Sequence, residues 1–180
     1  MKQRLFLIVV TLVVVVLAGC AQIGGADSGD VLEAGEGTEV LTNEALGYAF
    51  LYPDTYTLVA LDSGDNLVID SIMNHTDPRL GIEVEAAAGR TAGEVADALL
   101  AEYPEGFVIG RSTITLDGEE AVVLDQVPGQ DMNRLVFVVN GDRLYRFMFT
   151  HAAPDEGDTY TRMENLYTVV TNSFRFLPQQ

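Results

Sequence analysis

After residue 43, apolar and polar positions alternate along most of the chain, and the period lengthens to nearly four in two places. Tyr48, Phe50 and Tyr52 alternate before a Pro53-Asp54 turn. Thr57–Leu61 and Leu67–Ile72 read as short strands, separated by Asp62-Ser63-Gly64-Asp65-Asn66. Leu80, Ile82, Val84 and Ala86 share one strand face and Glu83 and Glu85 the other, the pattern of a half-buried antiparallel strand. Val108–Leu116 and Ala121–Val127 flank Asp117-Gly118, while Met132–Val139 and Arg143–Thr150 flank Asn140-Gly141. Both dipeptides suit type I′ hairpin turns because their residues tolerate positive φ. Leu135, Phe137 and Val139 lie on one face, and Tyr145, Phe147 and Phe149 alternate with Leu144, Arg146 and Met148. The three aromatics are expected in the sheet core.

The longer period marks two helices. Thr91 and Glu94 have capping-box spacing. Val95, Leu99 and Tyr103 follow at four-residue intervals, and Pro104 ends the run. The second helix starts near Asp155 or Asp158 and ends near Asn172. Tyr160, Met163, Tyr167, Val170 and Phe174 form its apolar stripe, and Leu166 widens it. Tyr160 and Tyr167 are expected at the helix–sheet seam, where a ring is buried and its hydroxyl reaches polar groups. Ser173-Phe174-Arg175-Phe176 reads as a short closing segment. The order of strands, helix, two hairpins and helix predicts an α+β domain, an antiparallel sheet flanked by helices.

The beginning of the chain has another texture. Lys2 and Arg4 precede Leu5–Leu17, an apolar run interrupted in polarity by Thr11 alone. As a helix it spans about 20 Å, short of the roughly 20 residues that a bilayer core needs. It reads as the apolar segment of a secretory signal. Leu17-Ala18-Gly19-Cys20 then closely resembles the lipobox of bacterial lipoproteins. That resemblance implies cleavage before Cys20, a diacylglycerol on its thiol and acyl chains, such as palmitate, in the membrane. Two or more acyl chains hold a protein stably where one does so marginally. Ala21 stands where aspartate would resemble an inner-membrane retention signal. The expected organisation is a signal at 1–19, a lipidated Cys20 with a flexible acidic Gly-rich linker to residue 42, and one domain at 43–180. Over Ala21–Thr42 such a coil has a root-mean-square reach of about 26 Å.

Charge narrows the partners. The 180 residues carry 10 Lys and Arg against 27 Asp and Glu, a formal charge of −17. Loss of Lys2 and Arg4 with the signal would leave 8 basic residues and no lysine, and bring the charge to −19. Such a surface is repelled by a phosphate backbone and by anionic headgroups, so no nucleic-acid partner is expected. Adaptation to saline surroundings is an alternative cause of the acidity.

Four segments of the body resemble the Mog1/PsbP-like fold, known in a nuclear-transport factor, a photosystem II extrinsic protein and many bacterial envelope lipoproteins. They are the opening Gly47-Tyr48-Ala49-Phe50-Leu51-Tyr52-Pro53-Asp54, the hairpin Leu116-Asp117-Gly118-Glu119-Glu120-Ala121, the strand Arg143-Leu144-Tyr145-Arg146-Phe147-Met148-Phe149 and the ending Ser173-Phe174-Arg175-Phe176. The resemblance implies an α/β/α sandwich and an accessory, generally non-enzymatic role. Tyr56 departs from it, standing where such proteins often have tryptophan. A small cystatin-like or other α+β envelope domain is the alternative.

Candidate chemistry is sparse. His75 has Asp77 nearby, and His151 has Asp155 and Asp158, but neither matches a zinc pattern. Glu83 and Glu85 share a strand face, better explained as solvated than as a glycosidase pair. Asp62, Asp65 and Asp70 lack the twelve-residue EF-hand pattern. Cys20 is consumed by lipid, and no serine lies in a nucleophile elbow. Arg111, Arg134 and Arg146 form part of a binding surface or neutralise neighbouring carboxylates. No catalytic residue, metal or cofactor is assigned. The expected function is a non-catalytic lipoprotein facing the extracytoplasmic side of the cell membrane or outer membrane. It is anchored to membrane lipid by Cys20 and binds or positions an envelope protein. The alternative is a small-ligand carrier or sensor with a pocket between sheet and helix.

Overall fold

The computed structural model describes residues 32–60, 67–70, 77–104 and 106–178. The signal and lipobox, including Leu17, Ala18, Gly19 and Cys20, lie outside the described residues, as do Asp62, Asp65 and His75. The described strands are β1 Thr38–Asn43, β2 Tyr48–Pro53, β3 Thr57–Ala60, β4 Leu67–Asp70, β5 Leu80–Ala86, β6 Gly110–Leu116, β7 Glu119–Val127, β8 Asn133–Asn140, β9 Arg143–Thr150 and β10 Arg175–Phe176. Helix α1 spans Ala92–Leu100 and α2 spans Asp158–Ser173, the latter preceded by a 3-10 turn at Pro154–Glu156. A three-stranded sheet runs β1-β2-β10, and a seven-stranded sheet runs β3-β4-β5-β9-β8-β7-β6. Every pairing is antiparallel.

Side-chain parity explains the layers. In β8, Val136 and Val138 join the core shared with Met163, Leu166 and Val170 of α2. Leu135 and Phe137 join the core shared with Ala92 and Ala96 of α1. The two helices therefore cover opposite faces of the large sheet, as the expected α/β/α sandwich requires. Since β7 and β8 are covered on both faces, they read as continuous apolar runs, Ala121–Leu124 and Leu135–Val138, without clean alternation. In β5 and β9 the α1-side positions include the exposed ion pair Glu83–Arg146.

The folded body starts earlier than the 20–42 linker allowed. Thr38–Asn43 form β1, with Leu41 buried opposite Phe50. Leu41 alone is buried along this strand, so the Gly- and Glu-rich sequence around it masks the pairing. The capping box of α1 forms as expected: Glu94 N donates to Thr91 Oγ1, and Thr91 N donates to Glu94. The face of α1 differs, however. Ala92 and Ala96 are buried, and Val95, Leu99 and Tyr103 flank them half-buried, so small residues let the helix lie close to β7 and β8. The first hairpin turns at Asp117-Gly118 with φ of 46° and 89°. The second turns one residue later than expected, at Gly141-Asp142. Asn140 is paired with Arg143, and only Gly141 of the turn has positive φ (61°), the pattern of a II′ turn.

Phe174 follows α2 and joins the layers. It is fully buried. Its ring centroid lies 6.2 Å from Tyr48 and 6.5 Å from Phe50 of β2, 6.3 Å from Tyr145 and 5.2 Å from Phe147 of β9, and 4.9 Å from Phe176 of β10. The approaches to Tyr145, Phe147 and Phe176 are edge-on, which suits the ring quadrupoles. Beside it, the Ser173 hydroxyl accepts from Leu51 N at 2.8 Å and donates to Val169 O at 2.7 Å, tying the last turn of α2 to β2. Phe174→Ala is expected to cost about 3–5 kcal/mol, the range for an emptied aromatic core site. A urea melt checks this, and a shift below about 1 kcal/mol contradicts the packing assigned to Phe174.

Candidate functional site at the Arg134 junction

The sequence singled out Arg111, Arg134 and Arg146, and the structure separates them. Arg146 of β9 pairs with Glu83 of β5, and Arg111 of β6 pairs with Asp97 of α1. Both sit on the α1 side of the sheet, Arg111 opposite Leu124 and Arg146 across from Glu83. Arg134 points to the α2 side. The three neutralise carboxylates and do not converge on one binding surface.

Arg134 is the buried member, with 7% of its surface exposed. Its position near the start of β8 places it beside an irregularity in β7, where the register shifts between Leu124 and Val127 and Gln126 has a φ of 57°. The bulge leaves Asp125 aimed at the guanidinium. Nε donates to Asp125 Oδ1 at 3.1 Å and Nη2 to Oδ2 at 2.9 Å. Glu164 of α2 takes the other side, accepting from Nη1 at 3.0 Å and Nη2 at 2.8 Å. Both contacts are bidentate, matching the planar fork of arginine to two carboxylates. The Tyr167 ring lies 4.5 Å from the guanidinium carbon and adds a cation–π contact.

The electrostatics follow from this crowding. Burial works against the Arg134 charge, but the hydrogen bonds it donates to Asp125 and Glu164 outweigh it and raise its pKa. Burial also works against ionised Glu164. Its bonds from Arg134 and Tyr160 prevail and hold the carboxyl below its usual range. The Tyr160 hydroxyl is raised first by that bond to Glu164 and then by burial. Tyr160, Glu164 and Tyr167 are spaced four and three residues apart, so they share one face of α2. The tyrosines lie at the helix–sheet seam as expected. Every nitrogen of Arg134 is engaged within the protein, and the junction ties β7, β8 and α2.

The remaining candidates have similar structural ties. His151, buried and held at a φ of 64°, places Nδ1 2.6 Å from Glu156 Oε2 of the 3-10 turn. Its partner is Glu156 and neither of the aspartates expected beside it. A proton on Nδ1 suits that carboxylate, leaving Nε2 buried without a hydrogen-bond partner among the described residues. Glu85 pairs with Arg90 at 3.0 Å and Asp77 with Arg162 at 2.6 Å. Among the described residues no cluster of three His, Cys, Asp or Glu side chains is placed to hold a metal ion. No helix among them is long and apolar enough to cross a membrane. The Tyr52 hydroxyl donates to Glu39 at 2.7 Å, and burial, followed by that carboxylate, pushes its pKa up to about 12.

No family profile and no curated protein matches the chain. Among solved structures, the solution structure of cyanobacterial PsbP (CyanoP) from Synechocystis sp. PCC 6803 is similar, with a TM-score of 0.55 at 17% identity. The match covers 84% of this chain and 99% of that one. The chain therefore has a PsbP-like fold, and at this identity the likeness concerns the fold alone.

Two pH effects follow. The lowered Glu164 pKa contributes stability that is present above its unfolded value, 4.5, and is lost as pH falls through the lower folded value. Glu164→Gln should flatten that acid limb of a pH-dependent melt; an unchanged limb contradicts the pairing. The raised Tyr52 pKa contributes stability present below 10.0 and lost as pH rises toward about 12. Tyr52→Phe should weaken that alkaline dependence, read by urea melts across this interval. Arg134→Ala strands two carboxylates that are each about a third exposed, so solvent screens part of the loss. About 2–3 kcal/mol is expected from urea melts at neutral pH.

Proposed function

We propose that this protein is a non-catalytic envelope lipoprotein. On this reading Cys20 carries the lipid, the signal at 1–19 is removed, and the PsbP-like body binds or positions another protein on the extracytoplasmic side of the membrane. The observation that carries the proposal is Leu17-Ala18-Gly19-Cys20 at the end of a charged start and a short apolar run. Cleavage there makes the lipid the membrane attachment. A Gly-rich segment of about 26 Å root-mean-square reach was expected up to residue 42. With β1 beginning at Thr38, the tether is shorter than that expectation.

The state of the chemical groups supports a scaffold. Arg134, Asp125 and Glu164 close the junction between sheet and α2, and Glu156 fastens the turn before α2 to His151. Aromatic side chains pack between β2, β9 and the end of α2. These groups maintain the shape of the body, and recognition falls to its surface. The fold family that the sequence resembles is generally non-enzymatic, which agrees with this division of labour.

Crosslinking in intact cells, followed by mass spectrometry of adducts of the anchored protein, tests the proposal. The expected result is one stoichiometric, saturable envelope partner. Cys20→Ala should abolish acyl incorporation and release the body from the membrane fraction. Unchanged acylation in that variant would overturn the Cys20 assignment. An abundant, folded wild-type protein that captures a small hydrophobic molecule and no protein would replace the adaptor with a ligand carrier.

A further inference from the structure

The large sheet ends at β6, a strand whose hydrogen-bonding pattern can be followed from its turn. The Asp117-Gly118 turn has two residues and pairs Leu116 with Glu119. Residues flanking such a turn form a hydrogen-bonded pair, and pairing alternates away from it. Leu116, Ile114, Ser112 and Gly110 therefore bond to β7. Arg111, Thr113 and Thr115 direct their backbone N–H and C=O groups away from β7. β6 is the terminal strand, and Gly110–Thr113 and Thr115 are exposed. The edge presents a row of backbone donors and acceptors to solvent.

Common edge-blocking residues are missing from this strand. Gly110–Leu116 contains neither proline nor lysine, and its charged residue, Arg111, is paired with Asp97 of α1. Thr113, Ile114 and Thr115 are β-branched and suited to an extended partner. The chain enters β6 through Phe107 and Val108, which are 52% and 88% exposed. Phe107 stands 6.0 Å from Tyr103, ring to ring, so an aromatic pair lies beside the start of the edge.

Charge selects among occupants. Exposed Glu102 precedes the segment entering β6, while exposed Glu119 and Glu120 follow the turn at its other end. Six of the eight arginines in the described body, Arg90, Arg111, Arg134, Arg146, Arg162 and Arg175, already pair with carboxylates. A second copy, with its signal removed, would bring another formal charge of −19 to the edge. A basic segment meets complementary charge. We infer that β6 docks an extended, basic and partly apolar segment of another protein by strand addition, with an apolar side chain against Phe107 and Val108. The inference rests on the adaptor reading and supplies its surface.

Residue-resolved amide hydrogen exchange on the acylated full-length protein in detergent tests it, with a synthetic peptide of alternating lysine and valine as probe. In the free protein, Arg111, Thr113 and Thr115 should exchange fast, and Ser112 and Ile114 slowly. Saturating peptide should slow the first group by about tenfold or more, equivalent to about 1.4 kcal/mol of protection, and leave the second unchanged. A matched peptide of glutamate and valine should do neither. Thr113→Pro removes an outward N–H while sparing the β7 ladder, so the folded variant should lose the peptide effect. Thr115→Pro supplies the same test if Thr113→Pro does not fold. Failure of the lysine peptide to protect the edge overturns the inference. So does equal protection by the acidic peptide, or undiminished protection in a folded proline variant. If cells yield a partner that Thr113→Pro still crosslinks, the edge assignment fails while the adaptor reading stands. Absence of a partner in wild-type cells instead removes the adaptor reading itself.

Discussion

The packing of Phe174 is the constraint on which the rest of the architecture depends. A single ring, immediately after α2, touches aromatics from β2, β9 and β10. The segment that follows α2 is held by apolar burial, by the Ser173 contacts to β2 and by the short pairing of β10 with β2. The small sheet thereby becomes part of the core between the large sheet and α2. Tyr145 reinforces the arrangement by donating its hydroxyl to Leu46 O at 3.0 Å, which fixes the loop between β1 and β2.

Polar ties extend this core outward. The Arg134 junction fastens α2 to β7 and β8, and His151–Glu156 fastens the approach to α2. Burying charge is costly, and the bidentate geometry and the Tyr167 face offset that cost. Such a network favours one seating of the helix over alternatives that leave a guanidinium or carboxylate unpaired. A body held in this way keeps its surface in one fixed arrangement.

Much of the fold was legible where one local rule dominated. Alternation at Tyr145, Phe147 and Phe149 revealed a buried strand face, and Thr91 with Glu94 located a helix start. β1 was obscured because only Leu41 is buried and β2 supplies the missing context. The Gly141-Asp142 turn shows how one residue of pairing register overrides a favourable dipeptide at Asn140-Gly141. Arg134 was visible as a candidate, and neutralising carboxylates was one of its two expected roles, but the carboxylates themselves were not visible. Asp125 reaches it through a bulge and Glu164 from α2, and neither long-range pairing follows from local periodicity. Recognising Glu164 within the Tyr160–Tyr167 stripe was the available clue. The β6 edge became visible only once the strand order was known.

The central structural claim is that the small sheet, the large sheet and α2 form one cooperative unit around Phe174. Native-state amide exchange of the described body, followed as a function of low denaturant concentration, tests it most directly. Hydrogen-bonded amides of β2, β8, β9 and the middle of α2 should converge on a single opening free energy equal to that of global unfolding. Amides of β2 that open several kcal/mol below those of β8 and β9 would contradict the claim, because the small sheet would then unfold while the large sheet stayed intact.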